Sequence, residues 1–408
     1  MSARKTAIYV IIMCMASVIT CTAATHYVSL YGTNDADGKY TNWVGAATNI
    51  QLAVDASIAN DTVLVSNGVY DTGGKVTPSY FSSNRVYVGA NITLRSVNGP
   101  ELTIIKGQEA PIGGCGTGAA RCVYLGAGTL MGFTLTNGYT TTNGQFYYDR
   151  GGGGVFIASG ANVSNCIITG NTCGGGGNGY GAGAVFLDGT GTMNNCILKF
   201  NRAIGFGGGV HMAGGTMNNC TIADNYASAR AGGVRIDGSN AVIKNCLVVR
   251  NVSGGMAGGI ELESGCAMYS CTVASNRSVS GGGGIYFGYY AGAGTANNCI
   301  IWGNIGVPSS NNDIAVNSGF TAVMNYSCWP TQMNLGQGNI YGDPLFVDTN
   351  TANYRLTANS PCVNTGTNQS WMSGALDLDG HSRIDRFSGI VDIGAYEFIY
   401  NGSIYRIP

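Results

Sequence analysis

Thr192-Met193-Asn194-Asn195-Cys196-Ile197-Leu198-Lys199-Phe200-Asn201 returns 24 residues later as Thr216-Met217-Asn218-Asn219-Cys220-Thr221-Ile222-Ala223-Asp224-Asn225. The Asn-Cys step recurs at Asn165-Cys166, Asn245-Cys246 and Asn298-Cys299, with Ser270-Cys271 as a variant. From Cys166 to Cys299 the intervals between these cysteines are 30, 24, 26, 25 and 28 residues. Another asparagine follows each cysteine by five: Asn171, Asn201, Asn225, Asn251, Asn276 and Asn304. A repeat of this length marks a solenoid. One unit cannot bury its apolar face alone, and stacked neighbours bury it together.

A second motif runs in step. Gly153-Gly154-Val155-Phe156-Ile157, Gly183-Ala184-Val185-Phe186-Leu187 and Gly208-Gly209-Val210-His211-Met212 are followed by equivalents at Gly232, Gly258 and Gly283. The first and third residues after the Gly pair are apolar and the middle one varies, the mark of a strand with one buried face. In the cysteine block, Cys and the residue two later (Ile168, Leu198, Ile222, Val248, Val273, Ile301) point inward. A further apolar position precedes the cysteine by three, as in Val163, Met193, Met217, Ile243 and Met268. Each coil therefore carries about three short strands and three turns. The asparagine after the cysteine falls at a bend, where Asn tolerates left-handed backbone and stacked amides can bond along a column.

This frame predicts an all-β solenoid of about ten coils over residues 61–330. Residues 25–60 form an N-terminal cap, in which Thr48 caps a helix with Ile50, Ala53, Val54, Ser57 and Ile58 on one face. The repeat fades after Asn304, and residues 331–408 read as a C-terminal module.

Glycine is abundant at 66 of 408 residues, yet 45% of the chain is hydrophobic, so the glycines serve turns of a folded protein. Charged residues are only 10% and the net charge is −1, which excludes the basic surface a nucleic-acid binder needs. Arg4 and Lys5, the apolar run Ala7–Ile19 and the small residues Ala23 and Ala24 read as a signal peptide over 1–24. Export to the extracellular space, the bacterial cell surface or the periplasm follows. The apolar run is too short for a membrane span, and no later segment is apolar enough to cross as a helix. Val18-Ile19-Thr20-Cys21 also resembles a lipoprotein cleavage box, from which Thr20 departs.

The repeated cysteines read as core filler. Stacked coils hold equivalent side chains parallel at about 4.8 Å, whereas a disulfide wants Cβ atoms turned toward each other at about 3.8 Å. Cys115 and Cys122 are the better local pair. His26, His211 and His381 are scattered, so no metal site is expected on them. Asp377-Leu378-Asp379-Gly380 reads as a turn, since calcium needs a fuller loop of oxygen ligands.

These residues resemble the right-handed parallel β-helix proteins of the pectate-lyase-like superfold. The Gly-Gly and apolar-x-x-Asn repeats are similar to those of polymorphic outer-membrane proteins. Asp343-Pro344-Leu345-Phe346, Ser360-Pro361-Cys362, Asp377-Leu378-Asp379-Gly380 and Asp392-Ile393-Gly394-Ala395-Tyr396-Glu397 resemble the choice-of-anchor Q module. The resemblance implies a right-handed helix and a surface or extracellular role. It implies no reaction, because this superfold carries lyases, hydrolases and adhesins alike. Only Ile399–Pro408 follow Tyr396-Glu397-Phe398, too little for the membrane barrel that polymorphic outer-membrane proteins carry.

Chemistry is expected on the outward residues of the Gly-Gly strand. One column reads Phe156, Phe186, His211, Arg235, Glu261, Tyr286, and a second holds Asp188, Asp237 and Glu263. Neighbouring coils place such carboxylates roughly 5 Å apart and alternate coils roughly 10 Å, bracketing glycosidase spacings. Two functions are open. In a polysaccharide-active enzyme, Asp237 or Glu263 is the acid or base, assisted by Arg235 or His211. In its lyase form, Arg235 abstracts a proton while the acids hold Ca²⁺ against a uronate. Asp188, Glu261, Phe186 and Tyr286 then line the substrate. In a non-catalytic adhesin, the same flat face binds a polysaccharide or cell-surface glycan. The bland reading of the cluster is a solvated face with weak Arg–Glu pairs.

Overall fold

The computed structural model describes residues 22–174, 181–263, 265–288, 294–307 and 313–400. The signal-peptide reading falls almost wholly outside them. Three long sheets of eleven, eleven and ten strands run the length of the chain, with a fourth of five short strands. The chain is a right-handed parallel β-helix, the hand that parallel crossovers almost always take.

One coil shows why. Thr192–Asn194 lies in the first sheet with Met193 inward. Asn195 turns the chain through left-handed backbone (φ 53°) into Ile197–Lys199 of the second sheet. Phe200, again left-handed (φ 58°), leads through Asn201 to the short strand Arg202–Ala203. The Gly pair then opens Val210–Met212 of the third sheet. A coil thus has four strands where three were expected. The left-handed positions are also displaced from expectation. They fall on the asparagine before each cysteine and on the residue before the second asparagine, such as Asp224 (φ 57°) and Arg250 (φ 54°).

The second asparagines instead form a buried hydrogen-bonded column. Asn171 Nδ2 donates to Asn201 Oδ1 at 3.0 Å, Asn201 to Asn225 at 2.9 Å, and Asn225 to Asn251 at 3.0 Å. Asn251 donates to Asn276 at 3.0 Å, and Asn276 to Asn304 at 2.9 Å. Each Oδ1 also accepts the backbone N–H of the preceding asparagine, as at Asn201 for Asn171 and Asn225 for Asn201. The column ends on Asp313, whose Oδ1 accepts from Asn304 N and Nδ2 at 2.8 and 2.7 Å. The last member needs only to accept, so an acid suffices there.

Cys166, Cys196, Cys220, Cys246, Cys271 and Cys299 are buried in the main apolar core. Each thiol donates to the carbonyl two residues before it, at 3.1–3.2 Å. The expected Cys115–Cys122 pair does not meet. Cys122 lies inside, donating to Thr136 O, and Cys115 sits in a loop with its thiol on Thr172 O.

The N-terminal helix spans Ile50–Ala56, and its cap is Asn49, not Thr48: Asn49 Oδ1 accepts Leu52 N–H at 3.1 Å. Ile50, Ala53 and Val54 close the end of the core, while Ser57 ends the helix and Ile58 lies outside it, exposed.

After the sheet strand Ile340–Tyr341 the chain folds back along the second sheet. Tyr354, Ala395 and Tyr396 cover Ala223, Leu247, Val249 and Ala274. Leu356, Cys362 and Ile393 cover Ile300 and Cys328. Asn245 and Asn298, from the Asn-Cys steps, spend their amides here: Asn245 Nδ2 donates to Leu376 O and Asn298 Nδ2 to Thr367 O, both at 2.9 Å.

Candidate functional site

Register pairing sets the outward column of the third sheet. Phe156 pairs with Phe186, then His211, Arg235, Glu261 and Tyr286 follow in adjacent strands. A charged cluster assembles at its centre. His211 Nε2–H donates to Asp237 Oδ2 at 3.0 Å. Arg235 Nε lies 3.4 Å from the same oxygen, and its terminal nitrogens lie 3.7 Å from Glu261 and 3.5 Å from Glu263. Arg230, from the turn before the strand, reaches Glu261 at 2.7 Å.

The cluster is not the solvated face expected. The side chains of His211, Arg235, Glu261 and Glu263 are fully buried, and only Asp237 and Arg230 reach solvent, at 15% and 13% exposure. The turn that precedes each Gly pair folds over the outward column. Phe206 lies on Arg235 with 4.4 Å from guanidinium carbon to ring centre, and Arg230 lies on the same ring at 4.6 Å. Phe206, Arg230 and Met256 pair in register as a column of their own. The equal spacing of these residues before each Gly pair was the sequence signal for them.

Burial also separates the ionisation of the two carboxyls nearest Arg235. It pushes Glu263 up to about 8, against the pull of Arg235 and with Glu261 adding to the rise. Burial opposes ionisation of Asp237 as well, but there His211 and Arg235 prevail and hold it at about 2. With Glu263 protonated near neutral pH, Arg230 and Arg235 balance Asp237 and Glu261. Burial works against the Arg235 charge, yet Glu261, Glu263 and Asp237 outweigh it and raise the guanidinium above its ordinary value. A guanidinium so held gives up its proton less readily, which weighs against Arg235 as the proton acceptor of a lyase.

A pH dependence follows. In the unfolded chain Glu263 ionises near its ordinary 4.5, and in the fold near 8. Between these values the folded state keeps a proton that the unfolded chain has released, so stability falls by up to about 1.4 kcal/mol per pH unit. Asp237 acts the other way, losing its contribution only as pH falls from its ordinary 3.8 toward about 2. Melting temperatures measured across this range are expected to peak at mildly acid pH and to fall toward pH 8. Glu263→Gln should flatten the slope, and an unchanged slope in that variant would refute the assignment.

The aromatic residues are also placed differently from expectation. Phe186 is sandwiched between Phe156 at 5.2 Å and His211 at 5.0 Å, under Tyr147 at 5.2 Å, and cannot stack on a sugar. Tyr286 is buried too. Beside this column, rings reach solvent from two loops that no repeat predicts. Tyr80 stacks on Tyr148 with centroids 4.8 Å apart and planes 15° apart, beside the exposed Phe81 and Phe146. The buried Asp149 joins these loops, its Oδ1 accepting Phe81 N–H and Ser82 N–H at 2.6 and 2.9 Å and its Oδ2 accepting Gln145 N–H at 2.8 Å. Beneath them, Arg121 Nη2 donates to Tyr148 O and Gly151 O, both at 2.8 Å. Asp188 stands apart from the Arg235 cluster. Its charge beside Tyr148 is the foremost cause of that phenol's raised pKa.

At the far side, ligand atoms of Asp377, Asp379 and His381 all lie within 4.8 Å of one another. Arg355 engages both oxygens of Asp379. Asp377 accepts the N–H groups of Asp379, His381 and Glu397. These groups close a turn and leave few lone pairs for calcium. Among the described residues, no helix is long and apolar enough to cross a membrane.

No family model matches the chain, and no curated protein matches it. Among solved structures it is similar to pectate lyase Pel9A, at 17% identity and a TM-score of 0.50, over 92% of this chain and 98% of that one. At that identity the likeness is one of fold.

Proposed function

We propose that this chain is an exported surface β-helix that binds carbohydrate without cleaving it, through Tyr80, Tyr148 and Asp188. One observation carries the reading: a stacked tyrosine pair beside a carboxylate reaches solvent on pinned loops, while the acid–base groups lie buried and neutralise one another. Aromatic faces with a few polar partners suit sugar rings. Pinned loops reduce the ordering cost of binding. The C-terminal motifs, similar to the choice-of-anchor Q module, support a cell-surface location.

A second reading rests on Asp237 and Glu263, held at about 2 and about 8. One ionised and one protonated carboxyl near neutral pH is the division of labour of a polysaccharide lyase or hydrolase. Burial of Glu263 disfavours it.

A polysaccharide panel scored for both binding and product, with and without Ca²⁺, separates the two. Binding without product is expected, weakened about tenfold or more by Tyr148→Ala, a loss of about 1.4 kcal/mol. Binding unchanged in that variant would exclude this platform. Product from the parent protein, abolished in Glu263→Gln, would establish the enzyme instead.

A further inference from the structure

The twelve cysteines of the described residues are free thiols, but two differ in kind from the rest. In the interior ladder, equivalent side chains rise in parallel from successive coils. Each ladder thiol is turned onto its own coil's carbonyl, as Cys220 onto Asn218 O at 3.1 Å. Parallel side chains on stacked strands are the wrong geometry for a disulfide.

Cys328 occupies a different column. It continues the outward row Thr221, Leu247, Thr272, Ile300 of the second sheet, so its side chain leaves the solenoid. Cys362 comes from the C-terminal segment that covers this row. Both are fully buried in one apolar cluster with Ile300, Leu356 and Ile393. Cys328 Sγ donates to Gly342 O at 3.3 Å, on the side that the C-terminal segment covers. The backbone of Cys362 is held in place: its N–H donates to Ser360 Oγ at 3.1 Å and its carbonyl accepts Ile393 N–H at 2.9 Å. Two buried cysteines brought into one cluster from facing elements, rather than stacked in register on parallel strands, meet the requirement that the ladder fails.

We propose that Cys328 and Cys362 form a disulfide in an oxidising compartment and lock the C-terminal segment onto the second sheet. Both thiols lose their protons and one S–S bond forms. The two electrons pass to an oxidised dithiol protein or to glutathione disulfide, which leaves as two thiols. The bond closes a loop of 34 residues (362 − 328 = 34). It ties the covering segment to the second sheet by a covalent bond.

The test uses the full chain, exported to an oxidising compartment or refolded in a glutathione redox buffer. It is unfolded without reductant in the presence of one maleimide, then reduced and labelled with a second. Cys328 and Cys362 should carry the second label and appear as one linked peptide by mass, while the ladder cysteines carry the first. Reductant applied to the folded protein should lower the melting temperature and expose residues 343–400 to protease, and Cys362→Ser should match the reduced parent without reductant. First label on both Cys328 and Cys362, or either one linked to a different cysteine, would overturn the proposal.

Discussion

Arg235→Leu is expected to cost about 3–5 kcal/mol of stability, the loss typical when one partner of a buried charge pair is removed. The guanidinium faces Asp237, Glu261 and Glu263, and the last two are fully buried with it. Leucine would leave Asp237 with His211 and Glu261 with Arg230, so that two carboxylates face one guanidinium, while the protonated Glu263 loses its polar neighbour. Urea unfolding should show a lower midpoint with an unchanged slope. The carboxylates themselves supply a control. Adding Glu261→Gln to Arg235→Leu removes the carboxylate left in excess and should recover part of the loss, as coupled sites do. A loss under about 1 kcal/mol would mean that water reaches the cluster, since only exposed pairs are worth so little.

Asn225→Leu is expected to destabilise the solenoid by on the order of 3–6 kcal/mol, at about 1–3 kcal/mol for each buried polar group left without a partner. Leucine keeps the branched skeleton of the asparagine side chain, so the loss reports chiefly hydrogen bonds. Asn225 Oδ1 accepts both the backbone N–H and the Nδ2 of Asn201. Its own Nδ2 donates to Leu198 O and Asn251 Oδ1. Substitution therefore takes the acceptor from two N–H groups of Asn201, and the amide donor from Leu198 O on the coil before and from Asn251 Oδ1 on the coil after. Chemical denaturation measures the loss, and amide exchange should show faster opening at Asn201 and Tyr226. A change within about 0.5 kcal/mol, as at an ordinary surface site, would show that the column is dispensable.

The repeat was legible because it is one-dimensional. Cys196, Cys220 and Cys246 recur at one-coil intervals and pack in the same interior column, as Leu198, Ile222 and Val248 do. The alternation in Val210-His211-Met212 assigned inward and outward faces correctly. It gave no warning that the outward face would be covered. Phe206 and Arg230 reach over the column from turns, and a turn's direction is set by glycine backbone that has no side-chain period. Tyr80 and Tyr148 sit in loops of different coils, 68 residues apart, joined through Asp149. Leu247, Val249 and Ile300 are apolar on an outward face because the C-terminal segment covers them.

By itself the sequence determined the coil, its core columns and the grouping of His211, Arg235, Asp237, Glu261 and Glu263 on one face, because parallel stacking turns sequence period into spatial neighbourhood. Only the tertiary structure decided what covers each face. That depends on contacts between segments outside the repeat, which bury one charged cluster, expose one tyrosine pair and set Cys362 against Cys328.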